Sequence, residues 1–276
     1  ILWCGGEDID FFLGSTPAVV TTAGRFRSTF ARCALQAGVV PIRSGIFPAG
    51  AVTSAWLTCQ FYGNGAGSVP SGQRIIGFGK SGANAGLFIG TGSTTNKLGL
   101  VKYDGATQTA LAEESSTSLA INTLFRFDMQ VVGPMNTVVV NLYLNGTLLV
   151  TYSGDISGIM ADFDSVFISF TSGSVGLLCS EVIAADEDLR AFPGLATLAL
   201  TGDGTTTDWT GTFSTINGTT ISDTTPNFTN TNDLLQEFDV TNLPTGTFAI
   251  RAVKRAARTA KAAGTPTQIA LGYNEG

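Results

Sequence analysis

Few side chains in this sequence could act as acids, bases or metal ligands. There is no histidine among its 276 residues, which removes the commonest general base and the commonest nitrogen ligand for metals. A glycosidase needs two carboxylates that face each other about 5 to 9.5 Å apart across the sugar. Glu113 and Glu114 are adjacent, so on a strand they would point to opposite sides. The acidic residues 186–188 that follow Glu181 indicate a solvated turn. We therefore predict that the protein is not an enzyme.

The side chains that could bind a metal through oxygen or sulfur are scattered along the sequence. The aspartates eligible for calcium form no recognisable loop motif; they are Asp155, Asp162, Asp164 and Asp203. No two cysteines are close enough for a CxxC pair; they are Cys4, Cys33, Cys59 and Cys179. We predict no metal and no cofactor, and we interpret the cysteines as buried free thiols.

The best candidate for ligand binding is one face of a hairpin predicted over residues 137–152. Asn145-Gly146 separates two β-forming runs, and Asn-Gly is the strongest signal for a type I′ turn because both central residues need positive φ. Alternation by two places Asn141, Tyr143 and Asn145 on one face, where they could bind a glycan. The alternative is that this aromatic ring packs under loops or against another subunit. The opposite, apolar row is Val138, Val140, Leu142 and Leu144.

A basic cluster near the end of the sequence is its one concentration of charge. It consists of Arg251, Lys254, Arg255 and Arg258, followed by Lys261. The spacing fits an amphipathic helix or an edge strand guarded by positive charge. In either form the cluster could contact an acidic surface on a neighbouring chain, so we interpret it as a protein interface. The formal net charge of −6 argues against nucleic-acid binding, which usually needs a basic face.

Short apolar runs separated by Gly, Asn, Ser or Thr predict an all-β protein. Only 13% of the residues are charged, against about 25% in an ordinary domain, which fits many turns or extensive contact with partners. The first predicted strands are Trp56–Tyr62, Gln73–Phe78, Gly86–Ile89, Leu98–Tyr103, Phe125–Val132, Val138–Asn145, Thr147–Tyr152, Ser165–Ser169 and Val175–Ile183. The later ones are Leu195–Thr201, Trp209–Phe213, Leu235–Val240, Phe248–Val253 and Gln268–Tyr273.

The character of the sequence changes near residue 190. Ala184–Arg190 predicts a short turn of helix that stops at Pro193-Gly194, and Thr-, Asn- and Asp-rich segments follow. We therefore predict a first domain over residues 1–194 and a small β domain over 195–276, which we interpret as an assembly or interaction module. No apolar run approaches the ~18 to 20 residues of a membrane span.

Several segments along the chain resemble jelly-roll domains and virion proteins that contain them. The hairpin at Leu142–Gly146, preceded by Phe125–Asp128, is similar to that of concanavalin-A-like and laminin-G-like jelly-roll domains. Further segments resemble virion proteins of tailed bacteriophages and prophages; they are Ile1–Asp10, Leu178–Arg190, Asp208–Gly211 and Ile250–Arg258.

The resemblance implies a concanavalin-like jelly-roll β-sandwich followed by a small β-sandwich-like domain. It implies a structural component of the virion, in the tail, fibre, neck or head decoration. The expected partners are other virion proteins and further copies of this chain, with host-surface polysaccharide as a possible ligand. Two alternatives stay open: a carbohydrate-binding adhesin module without a structural role, and a polysaccharide hydrolase of the same fold.

Overall fold

The computed structural model describes residues 3–5, 11–12, 18–20, 30–32, 42–44, 46–64, 69–94, 97–118, 123–169, 176–190, 200–208, 210 and 236–240. The chain divides into two compact units, Ile1–Leu195 and Ala196–Gly276. Nearly all regular structure in the described residues is β-strand, and the exception is a single 3-10 turn at Met135–Thr137. The all-β class predicted from the sequence is therefore confirmed.

The strands are numbered in chain order. They are β1 (Trp3–Gly5), β2 (Phe11–Phe12), β3 (Ala18–Val20), β4 (Phe30–Arg32), β5 (Ile42–Ser44), β6 (Ala55–Asn64), β7 (Arg74–Gly79), β8 (Gly86–Thr91), β9 (Lys97–Tyr103), β10 (Gln108–Ser118), β11 (Leu124–Val132), β12 (Val138–Leu144), β13 (Thr147–Gly154), β14 (Ser165–Ile168), β15 (Gly176–Ala185), β16 (Leu200–Thr207) and β17 (Gln236–Val240).

Two antiparallel sheets form the first unit. Sheet A has the order β13-β12-β11-β6-β15-β4-β3, with β1 also pairing with β15. Sheet B has the order β10-β9-β8-β7-β14-β5-β2. Five long strands make up most of each sheet, and short segments from the first 44 residues extend one edge of each. The two-sheet sandwich predicted from the sequence is thus confirmed.

The core lies between the inner faces of the sheets. Alternate residues of sheet A, such as Leu57 and Phe127, belong to the same buried cluster as Phe78 and Leu87 of sheet B. The ring of Phe78 stacks on Phe163, with centroids 4.4 Å apart. Burying such side chains stabilises each by about 1.5 to 3 kcal/mol relative to exposure. The cysteine that the structure describes in full, Cys59, is a buried free thiol in this core, as the sequence predicts.

The hairpin β12–β13 forms as the sequence predicts. Asn145 and Gly146 have φ values of 50° and 83°, the two positive angles of a type I′ turn. The turn is also held from β11, because the backbone N–H of Arg126 donates to Asn145 Oδ1 at 2.9 Å. The N–H of Asn145 donates in turn to the carbonyl oxygen of Arg126 at 2.8 Å.

The sequence analysis missed one strand, and its predicted helical turn is wrong. Strand β10 was not predicted because its Gln, Ala, Glu and Ser residues are poor strand formers, yet it pairs with β9 at the edge of sheet B. The helical turn predicted over Ala184–Arg190 is absent. Strand β15 continues to Ala185, and bends and a turn follow it. Pairing with β6 through Ala184 and Ala185 outweighs their helix propensity.

The second unit is described only in part. Strands β16 and β17 pair antiparallel there, and β16 runs to Thr207 rather than ending at Thr201. The other strands predicted after residue 209 lie outside the described residues. The β-sandwich-like form of this unit and its assembly role stay predictions.

Glycines on sheet B let strands and aromatic rings approach closely. An ideal Cβ on Gly77 would lie 1.9 Å from the carbonyl oxygen of Leu87, and one on Gly79 would lie 2.7 Å from the ring of Phe167. On the outer face, Phe88, Val101 and Phe167 form a separate buried cluster. The outer face of this sheet therefore contains an apolar cluster.

Replacing Gly77 by alanine should destabilise the sandwich because the adjacent backbones of β7 and β8 leave no room for a methyl group. We expect the free energy of unfolding in urea to fall by about 3 kcal/mol, at the upper end of overpacking effects. Gly158→Ala is the matched control, since nothing lies within 4 Å of its Cβ position and its φ is ordinary. It should change stability by less than about 0.5 kcal/mol. Equal stability of the two variants would contradict the packing described here.

Candidate functional site

The outer face of sheet A carries polar side chains on the neighbouring strands β11, β12 and β13. Because Phe127, Met129 and Leu142 belong to the core, the residues between them point outward. Asp128 of β11 lies opposite Tyr143 of β12, and the next outward residues along these two strands are also paired. The register therefore builds a compact surface of carboxylate, amide and aromatic groups.

Two aromatic rings lie side by side on this face. Trp56 of β6 and Tyr143 of β12 stack with centroids 5.8 Å apart and planes inclined by 27°. Only 8% and 9% of their surfaces are exposed, because Leu189 and Ile183 complete a small apolar cluster with them. The guanidinium of Arg190 covers the pair, with Cζ 4.6 Å from the Tyr143 centroid and 5.1 Å from that of Trp56.

An ion pair between a partly buried arginine and a buried aspartate holds the loop that supplies Arg190. Asp128 is fully buried, and its Oδ1 accepts hydrogen bonds from Arg126 Nε at 3.1 Å and Nη2 at 2.9 Å. The same Nη2 donates to the carbonyl oxygen of Leu189. The second oxygen, Asp128 Oδ2, has no hydrogen-bond partner in the described part of the chain. Since Leu189 is joined to β11 in this way, residues 186–190 are held against the outer face.

Arg190 is oriented by the carboxylate two residues before it. Its Nη2 lies 2.6 Å and its Nε 3.1 Å from Asp188 Oδ2, and its backbone N–H donates to Oδ1 at 2.9 Å. The hydrogen bond from Arg190 lowers the pKa of the Asp188 carboxyl, and the same contact raises the pKa of Arg190. Both groups are exposed and charged at neutral pH. The surface thus presents a guanidinium and a carboxylate in one fixed arrangement.

The three glycan-binding residues predicted from the sequence occupy different environments. Asn141 lies within a row of hydrogen bonds, donating to Gln130 Oε1 at 2.9 Å and accepting from Thr151 Oγ1 at 2.8 Å. Tyr143 is nearly buried beneath Arg190, and Asn145 stabilises its own turn. Their role in glycan binding stays a prediction. The interface residues Arg251, Lys254, Arg255 and Arg258 lie outside the described residues.

The structure adds four charged residues that the hairpin pattern did not indicate. They are Arg126, Asp128, Asp188 and Arg190. The acidic run at 186–188 was the available signal, but it indicated only a solvated turn. The contact of the next residue, Leu189, with Arg126 of β11 depends on strand order, which local spacing does not specify.

The aspartates considered as calcium ligands have protein partners instead. Lys80 forms an ion pair with Asp162, and Asp164 accepts from the backbone N–H and hydroxyl of Ser81, both at 2.6 Å. Burial alone would raise the pKa of Asp164, but these bonds and the charge of Lys80 outweigh it and lower the pKa. Within the described residues, no group of three or more Cys, Asp or Glu residues could hold a metal. No helix described here is long and apolar enough to span a membrane.

Comparison with known proteins finds similarity among solved structures only. No family model matches the chain, and no curated protein does. The chain is similar to carbohydrate-binding module CBM66 from Bacillus subtilis, with 11% identity, coverage of 64% of this chain and 96% of that one, and a TM-score of 0.46.

Two further solved structures are also similar to this chain. Domain 4 of AbnA, a GH43 extracellular arabinanase from Geobacillus stearothermophilus in complex with arabinotriose, is 13% identical, with coverage of 70% of this chain and 83% of that one and a TM-score of 0.42. The binding domain of Paraclostridial mosquitocidal protein 1 is 10% identical, with coverage of 68% and 49% and a TM-score of 0.46. Similarity at this level assigns no ligand to the present chain.

Replacing Asp128 by asparagine should loosen the loop that carries Arg190. The change keeps the side-chain shape but leaves the charge of Arg126 without its buried partner. We expect the free energy of unfolding in urea to fall by about 3 kcal/mol, the lower end for breaking a buried pair. The matched control is Asp155→Asn, where an exposed carboxylate accepts from Ser157, and its stability should stay close to that of the wild type. A wild-type-like stability of Asp128→Asn would contradict this account.

Proposed function

We propose that the first unit is a carbohydrate-binding module and that the outer face of sheet A around Arg190 is its binding surface. The observation that carries this proposal is the combination of exposed, fixed polar groups with a stacked aromatic pair beneath them. A sugar presents neighbouring hydroxyls that both donate and accept. Planar groups such as a guanidinium and a carboxylate can bond two such hydroxyls at once.

The polar groups are suited to a hydroxyl-rich ligand because they are already oriented. The Asp188 carboxylate can accept hydrogen bonds, and the Arg190 N–H groups can donate them. Gln130, Asn141 and Thr151 form a partly exposed row of neutral donors and acceptors on the same face. Fixing these groups before binding reduces the entropy lost when the complex forms.

The aromatic pair has a supporting role in this proposal. A ring that serves as a platform must expose one face to the sugar, but Tyr143 has its neighbours Trp56 and Arg190 against it. The two rings instead hold the guanidinium in position by cation–π contact. The proposal therefore moves direct sugar contact from Tyr143 to Arg190.

We also propose that binding is not followed by cleavage. Hydrolysis of a glycosidic bond requires a carboxylic acid that can give up a proton near neutral pH. The lowered pKa of Asp188 keeps it ionised, and Asp128 is enclosed in its ion pair with Arg126. These properties support a binding module over the hydrolase alternative.

A glycan array tests the proposed surface. We expect the wild-type chain to bind at least one class of polysaccharide and Arg190→Ala to bind it at least about tenfold more weakly, which corresponds to about 1.4 kcal/mol. Lys102→Ala is the control, since it removes a positive charge on sheet B and should leave binding unchanged. A flat array with folded wild-type protein would reject carbohydrate binding. Unchanged binding by Arg190→Ala would reject this surface.

We propose virion location as a second, separate property. It is supported by the resemblance of Leu178–Arg190 to virion proteins of tailed phages, a segment that contains most of β15 and the loop with Arg190. Assembly with other virion proteins and with copies of this chain follows from the same resemblance. Immunogold labelling of purified particles should place the chain on the virion, and labelling confined to the soluble fraction would contradict this.

A further inference from the structure

The outer face of sheet B contains a buried arginine. Arg74 is the first residue of β7 and is only 4% exposed. Its guanidinium carbon lies 3.6 Å from the centroid of Tyr103 and 6.0 Å from that of Phe88. These contacts place the side chain against the apolar outer cluster of sheet B. It is therefore on the opposite sheet from the proposed carbohydrate surface.

This guanidinium has no counter-charge among the described residues. Its one hydrogen bond there runs from Nε to the hydroxyl oxygen of Ser169 at 3.1 Å. The other two arginines with described side chains, Arg126 and Arg190, each pair with an aspartate. An unpaired buried charge is costly, and a neutral hydroxyl with two aromatic rings compensates it only in part.

The free donors of Arg74 lie on its terminal nitrogens. A guanidinium stacks through its face and donates hydrogen bonds from its edges, so contact with Tyr103 leaves the edges available. The Nε edge is used by Ser169. The Nη1 and Nη2 groups make no hydrogen bond within the described residues. They are not sealed from solvent, because the one fully buried polar side-chain atom without a partner among these residues is Asp128 Oδ2. Four N–H donors thus remain for a ligand.

We propose that Arg74 anchors a second ligand site, on the outer face of sheet B, which binds a carboxylate. A carboxylate matches the planar fork of a guanidinium through two parallel hydrogen bonds. A single negative charge also balances the site, because the neighbours Tyr103, Phe88 and Ser169 are neutral and supply no second cation for a phosphate dianion. The hydroxyl of Tyr103 already donates to the carbonyl oxygen of Gly105 at 2.8 Å, so recognition depends on the arginine. This site does not depend on the proposed carbohydrate surface.

Thermal unfolding with added glucuronate tests the proposal, because a ligand that binds only the folded state raises Tm. At a tenfold excess over its dissociation constant, glucuronate should raise Tm by about 3 °C. Acetate should also raise Tm. Glucose at the same concentration and chloride at the same ionic strength should not. Arg74→Lys keeps the charge but lacks the planar fork, so its affinity should fall at least tenfold. Arg190→Ala is the control and should keep the full response.

The proposal is overturned if glucuronate shifts the wild-type Tm no more than chloride does, or if Arg74→Lys responds like wild type. A larger shift with phosphate than with glucuronate would overturn the assignment to a carboxylate. If the Arg74 variant does not fold, the wild-type chain still provides a readout. The Arg74 Nε–H resonance in a nitrogen-15 NMR spectrum should then move with glucuronate and saturate, and an unmoved resonance would reject the site.

Discussion

Burial of one face of each long strand against the opposite sheet is the constraint on which the rest of the sandwich depends. Phe61 and Phe127 of sheet A and Phe78 and Leu87 of sheet B share one core cluster. Because side chains alternate, a shift of one residue in β11 would bring Asp128 into that core and expose Phe127. The core therefore sets the register, and the register determines which residues reach each outer face.

The two outer faces show different consequences of the same constraint. On sheet A, the amides of Asn141 and Gln130 pair with each other, and Arg126 binds both Asp128 and the loop that carries Arg190. On sheet B, glycines such as Gly77 and Gly79 permit close approach of backbone and rings, and the outer cluster around Phe88 is apolar. One face is thus suited to polar recognition, and the other contains Arg74, which has no counter-charge among the described residues.

Two arginines of the sandwich, the partly buried Arg126 and the buried Arg74, are stabilised in different ways. Arg126 is neutralised by Asp128 and also binds the carbonyl oxygen of Leu189, so its charge organises a loop. Arg74 relies on Tyr103 and a serine hydroxyl and keeps unused donors. A paired guanidinium is mainly structural, whereas an unpaired one retains the capacity to bind an anion. This difference in pairing separates the supporting residues of sheet A from the proposed ligand site of sheet B.

Local residue patterns in the sequence were sufficient to predict part of the fold. Alternating runs and Asn145-Gly146 determined the long strands and the hairpin, because pleat and turn geometry depend on neighbouring residues. They did not reveal β10, whose pairing comes from its position at a sheet edge. Only the tertiary structure decided that Tyr143 lies beneath Arg190 and that Arg74 has no carboxylate beside it among the described residues. Such contacts join strands and loops far apart in the chain, so they depend on strand order, which local residue patterns do not encode.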